Sequence, residues 1–147
     1  MPHEKKYWIL YRCHRLDRSG LAHRVRKNLS GTDQAAVLAF SEAASDNLFA
    51  GLTANDYATF SRDFDPYMKK TIPATEFAAW KQDLDNKLGN YLSRQVDHVT
   101  QADEFYVVVY QAKFEQEESV IVEVAFHVKE PHPIANLWFD SEKLRQK

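Results

Sequence analysis

From Thr32 onward apolar residues recur at three- and four-residue steps: Val37, Phe40, Ala44, Leu48 and Leu52. That spacing predicts an amphipathic helix, capped by Thr32 or Asp33 and ended by Gly51 and the Thr53-Ala54-Asn55 step. The stretch "NDYATFSRDFDPYMKK" predicts a short second helix carrying Tyr57, Phe60 and Phe64. Asp65-Pro66 breaks it, because proline disfavours a helical residue before it, and a turn through Tyr67 and Met68 follows. In "PATEFAAWKQDLDNKLG", Pro73 suits a first helical turn and Phe77, Trp80, Leu84 and Leu88 make one stripe. Gly89 stands where a helix commonly ends.

Beyond Tyr91 the period falls to two. Residues 91–100 predict a first strand, with alternation too poor to say whether His98 shares a face with Arg94 and Val96 or meets water, and Gln101-Ala102-Asp103 as the turn. Residues 105–114 and 120–128 are β-branched and aromatic and alternate cleanly. "KEPHP" interrupts the chain, and residues 134–139 predict a short last strand. Helices first and an antiparallel meander afterwards is an α+β pattern, with N-terminal helices covering one face of a sheet of about four strands.

The two cleanest strands also predict their own pairing. Tyr106, Val108, Tyr110, Ala112 and Phe114 share one face, as do Val120, Val122, Val124, Phe126 and Val128. Joining these apolar sets under the helices places Phe114 opposite Val120 and Gln111 opposite Glu123, across an odd-length loop such as Gln116-Glu117-Glu118. A one-residue slip would bury Lys113 and Gln111 for no gain. Glu123 and His127 therefore face outward, as a solvated strip or a homodimer contact rather than an acid/base pair.

Composition adds an asymmetry. The chain has 147 residues, 44% hydrophobic and 13% aromatic, enough for one domain with a real core, and a net charge of only −2. Residues 1–31 hold eight Lys and Arg against two acidic side chains, a charge of +6, while the other 116 hold 11 basic and 19 acidic, a charge of −8. The division expected is a basic arm (1–31), a domain (32–140) and a polar tail (141–147). The plain reading of the arm is a solvated tail, or one folded back on the acidic domain. The functional reading is contact with an anionic membrane or nucleic acid, where Tyr7, Trp8 and Tyr11 could stack or sit at an interface. Cys13 is the lone cysteine, so an intrachain disulfide is excluded. The apolar run at residues 7–11 is too short for a signal-peptide core or a membrane span, which reads as cytoplasmic.

Little in the chain points to catalysis. The six histidines are scattered, with no HxH, HExxH or cysteine-pair spacing, so neither a metal site nor a cofactor is expected. Four glycines cannot supply a phosphate loop, and no nucleophile elbow is present. Asp56, Asp63 and Asp65 alternate with aromatics as capping residues do.

Several features together resemble a small domain family of unknown function within the cystatin-like, nuclear-transport-factor-2-like superfamily. They are "NLFAGLTANDYATFSRDFDPYMK", the Phe77, Leu88, Gly89 and Tyr91 segment, "VVVYQAKFE" and "VIVEVAFHV", spread over residues 33–140. The resemblance implies a cone, in which a curved antiparallel sheet wraps a long helix and shorter helices close the mouth. It also implies export, which this chain fits only if its start is misassigned. The leading reading is a non-enzymatic domain of this kind, binding a small hydrophobic ligand or a protein partner. Tyr57, Phe60, Tyr67, Trp80, Tyr106 and Tyr110 would then line the pocket. The runner-up is a cone-pocket enzyme of isomerase, cyclase or dehydratase type.

Overall fold

The structure, a computed structural model, describes residues 26–146. What the sequence suggests for residues 1–25, the Tyr7–Trp8–Tyr11 cluster and Cys13 included, lies outside it. Among the described residues, four helices precede most of a sheet and one short helix follows it. After strand β1 (Lys27–Leu29) come α1 (Gly31–Ala54), α2 (Tyr57–Phe60), α3 (Pro66–Thr71) and α4 (Ala74–Leu88). Strands β2 (Tyr91–Ala102), β3 (Phe105–Phe114), β4 (Glu117–His127) and β5 (Ile134–Asp140) form the meander, and α5 (Glu142–Arg145) ends the described chain.

Local chemistry explains the helix boundaries. Asn55 adopts the left-handed conformation (φ 56°) and Asp56 donates its N–H to the Gly51 carbonyl at 2.8 Å, which closes α1. Gly51 does not end the helix as its sequence position suggests. It lies inside α1, where an added Cβ would stand 2.2 Å from the backbone nitrogen of Phe60, so the missing side chain is what lets α2 approach. The turn expected at Tyr67 and Met68 is instead α3. Pro66 sits in its first turn with a φ already suited to a helix, and the Asp65 carboxylate accepts the Met68 N–H at 2.7 Å. In α4, Phe77, Trp80, Leu84 and Leu88 are all buried, as their spacing requires.

The sheet is open, antiparallel and ordered β1-β2-β3-β4-β5. It has five strands rather than four, because Lys27–Leu29, within the stretch read as a basic arm, pairs with Val99, Thr100 and Gln101. Faces follow the alternation. Val108, Tyr110, Ala112 and Phe114 meet Val120, Val122, Val124 and Phe126 in one core with α1 to α4. The pairing itself is two residues away from the expected one. Val120 lies opposite Ala112 and Glu123 opposite Val109, because the turn is the two-residue Glu115-Gln116 and a bulge absorbs the odd residue between Ala112 and Phe114. An even shift keeps every side chain on its face, which is why burial could not distinguish the two pairings.

Strand β2 explains its own illegibility. Bulges between Tyr91 and Ser93 and between Val96 and His98 reset the alternation twice. Arg94 and Val96 pair with inner-face Ala112 and Tyr110, whereas His98 pairs with Val109 and points outward. At the far edge, Phe64 forms a parallel bridge with Ile134, closed by Ile134 N–H to the Asp63 carbonyl (2.7 Å) and Asp65 N–H to the Ile134 carbonyl (2.9 Å). Within the stretch read as a polar tail, Ser141 caps α5 and Leu144 is buried.

Candidate functional site

Two polar clusters interrupt this apolar architecture. The first lies between α1 and the sheet. Glu42, Ser45 and Asp46 stand three and four residues apart on one side of α1, above β2 and β3. The Tyr110 hydroxyl donates to Glu42 Oε1 at 2.6 Å and lies 2.7 Å from Ser45 Oγ. Arg94 directs Nη2 to both Asp46 (2.7 Å) and Glu42 (3.1 Å), and its guanidinium stands 5.1 Å from the ring centres of Phe49 and Tyr110. Burial, reinforced by the bond to Glu42, pushes the Tyr110 phenol well above its ordinary value. Burial works against the Arg94 charge, but Asp46, Tyr91, Tyr110 and Glu42 together outweigh it and hold the guanidinium firmly protonated.

Chemically, this cluster is self-contained. The phenol is kept neutral and the cation is neutralised by two carboxylates, so neither is poised to exchange a proton near neutral pH. Its effect is to fix the rotation of α1 over the sheet.

The second cluster gathers at the β4–β5 turn. His127 Nε2 lies 2.8 Å from Asp65 Oδ2, while the other carboxylate oxygen caps α3. Asp65 is buried to 9% exposure and the His127 side chain keeps 33%. The segment leading into Asp65 pairs with Ile134, so the carboxylate comes round the β5 edge to meet a histidine on the outward face. His132, at φ 60° beside the cis Glu130–Pro131 bond, stacks on Phe40 of α1 at 3.9 Å and places Nδ1 3.0 Å from the His127 carbonyl. A carboxylate holding one imidazole nitrogen is the arrangement that orients a general base.

The six residues expected to line a pocket are dispersed. Phe60, Trp80 and Tyr110 are at most 2% exposed, inside the core. Tyr57 is partly buried and donates its hydroxyl to the Ile72 carbonyl at 2.6 Å. Tyr106 is partly buried beside Phe40, with ring centres 6.1 Å apart, and Tyr67 is 42% exposed on α3. Phe60 and Trp80 touch, and Tyr57 meets Phe60, but Tyr106 and Tyr67 join neither. Glu123 and His127 are also separated by their partners. Glu123 pairs with Arg26 at 2.8 Å and His127 with Asp65. Sequence reasoning missed the Glu42–Ser45–Asp46 stripe, although its helical spacing beside an apolar face was visible. The Asp65–His127 contact spans 62 residues and left no signal.

Among the described residues, no group of three or more His, Cys, Asp or Glu lies together as metal ligands would. Nor is any described helix long and apolar enough to cross a membrane. The pattern of a family described as proteins of unknown function (DUF3887) matches residues 45–131, more than half of the chain. No curated protein and no solved structure matches it.

Proposed function

The chain belongs to this family of unknown function, and we propose that its domain is a non-enzymatic, protein-binding module of the cystatin-like, nuclear-transport-factor-2-like superfamily, with a filled interior and its working surface outside. One observation carries the reading. Tyr110, at the centre of the inner sheet face, has no exposure, and both bonds of its hydroxyl are spent on α1. Where a ligand-binding cone would present a phenol to its cavity, this chain uses the phenol to hold a helix down. Phe60 and Trp80 are committed to the same core. Native mass spectrometry of the protein isolated from its own host tests this. The expected result is a protein free of small molecules, retained with a polypeptide partner or a second copy. A small molecule carried at one-to-one stoichiometry overturns it.

The Asp65–His127 contact favours the second reading, an isomerase, cyclase or dehydratase. On that reading Asp65 orients the imidazole and His127 moves the proton. A turnover found in a screen of such substrates, abolished by His127→Gln and strongly reduced by Asp65→Asn with the fold intact, would establish it. Turnover that is indifferent to both changes would exclude this pair.

A further inference from the structure

The two borders of the sheet are unlike. At β5 the bridge from Phe64 to Ile134 occupies the first rung. At the other border β1 pairs with β2 at Val99, Thr100 and Gln101, ends at Leu29, and gives way to α1 from Gly31. Residues 91–98 of β2 continue past it, paired with β3 on one side and with no described strand on the other. Alternate residues of an antiparallel strand direct their N–H and C=O groups to opposite sides, so this stretch presents unspent donors and acceptors.

Bulges commonly blunt such a border, and β2 has one at Leu92 and one at Asp97. Between them Ser93, Arg94, Gln95 and Val96 pair in unbroken order with Lys113, Ala112, Gln111 and Tyr110. That leaves a short, regular template. Ser93, Gln95, Asp97 and His98 are exposed along it. Leu92 is 54% exposed, more than any other large apolar side chain among the described residues.

Charge selects the occupant. Arg94, which would repel a cationic neighbour, is already paired with Asp46 and Glu42. The border therefore sets three carboxylates, Glu42, Asp46 and Asp97, against one guanidinium. Asp46 is 71% exposed, and Arg94 takes its Oδ1 while Oδ2 has no described partner. Two copies meeting here would bring like charges together, whereas a cationic strand meets attraction.

We propose that Ser93–Val96 is a docking edge that takes up a short extended segment of another polypeptide by strand addition. The segment carries Lys or Arg for Asp46 and Asp97 and an apolar side chain for Leu92. Main-chain hydrogen bonds hold it and the acidic border orients it. The inference rests on the reading of the domain as a protein-binding module, and gives that module its surface and the chemistry of its partner.

Amide hydrogen exchange of the full chain, followed residue by residue by NMR, tests it with a synthetic peptide of alternating threonine and lysine. At millimolar concentration the peptide should slow exchange severalfold among residues 91–98, and added salt should weaken the effect. The same peptide with glutamate for lysine should not act, nor should one N-methylated at alternate amides. The Asp46→Asn, Asp97→Asn variant should bind the lysine peptide several-fold more weakly. Leu92→Ser, an exposed change, should weaken it part of the way. No slowing by the lysine peptide overturns the proposal, as does equal slowing by the glutamate or the N-methylated peptide. A dimer whose dilution alone speeds exchange at residues 91–98 also overturns it, because a second copy is then the occupant. Protection elsewhere on the sheet, with these amides still exchanging, overturns the docking edge and leaves a protein-binding module standing. A small molecule carried at one-to-one stoichiometry removes that module instead.

Discussion

Val108 and Val109 are consecutive on β3 and nearly equally dry, at 0% and 5% exposure, yet they are dry for different reasons. Val108 faces a core of large side chains, Phe60, Trp80 and Phe126 among them, brought by helices whose caps and breaks are set locally. Val109 belongs to a cluster of small residues to which no described helix contributes. The inner face also carries a polar clamp, Tyr110 with Arg94 and α1, that the apolar end of the outer face lacks. One face is thus fixed by bulk and by a committed network. The other depends on whatever lies over it.

The comparison can be broken most forcefully from the inside. Phe60→Ala or Trp80→Ala should each cost about 3–5 kcal/mol in chemical denaturation, by removing a large ring from a packed interior. Gly51→Ala should follow at about 3 kcal/mol, because the new methyl group meets the backbone of α2 rather than a side chain that can swing aside. A cost near zero there would mean that α1 and α2 are not in close approach.

Tyr110→Phe tests the clamp, and about 2 kcal/mol is expected, since Glu42 and Ser45 lose their partner near the core. The same phenol gives a pH signature. Its folded-state pKa lies above the ordinary value of 10.0, so the neutral form is the one that folding favours. The stability it contributes is complete below pH 10 and is lost as pH climbs above that value. Absorbance at 295 nm should show one tyrosine that ionises only with unfolding, and Tyr110→Phe should remove it.

The paired valines sharpen the contrast itself. Val108→Ala and Val109→Ala should each cost about 2 kcal/mol in the full chain. The smallest effect belongs to Arg26→Gln. Its contact with Glu123 is partly exposed, so below about 1 kcal/mol is expected in thermal denaturation.

The fold class was legible because it depends on signals that travel only a few residues. The α4 stripe, the Gly89 stop and the alternation in β3 and β4 each express one local period, and each is seen in the structure. Register was legible only up to an even shift, since burial reads faces and the Ala112–Phe114 bulge is invisible to it. Strand β2 failed for the same reason twice over, at Leu92 and Asp97. Helix α2 stops at Phe60 with Ser61 as its cap, so Phe64 lies outside it, bridged to Ile134, and Pro66 starts α3 without having ended a helix. The candidate clusters were the least legible part. Tyr110 was named as a residue facing a cavity, and its neighbours Glu42 and Ser45 lie 68 and 65 positions away. Nothing in a single sequence says that α1 will rest there.

The bridge from Phe64 to Ile134 has a consequence for the molecule in company. An open sheet ends in unpaired backbone groups, and such a border is a template on which another chain can build. Here the link between α2 and α3 occupies the first rung of the β5 border, and it runs parallel where a recruited neighbour could run either way. A stranger arriving at that margin finds the rung already taken by the protein's own helical layer. The segment that caps α3 thereby also acts as a stop against lateral growth.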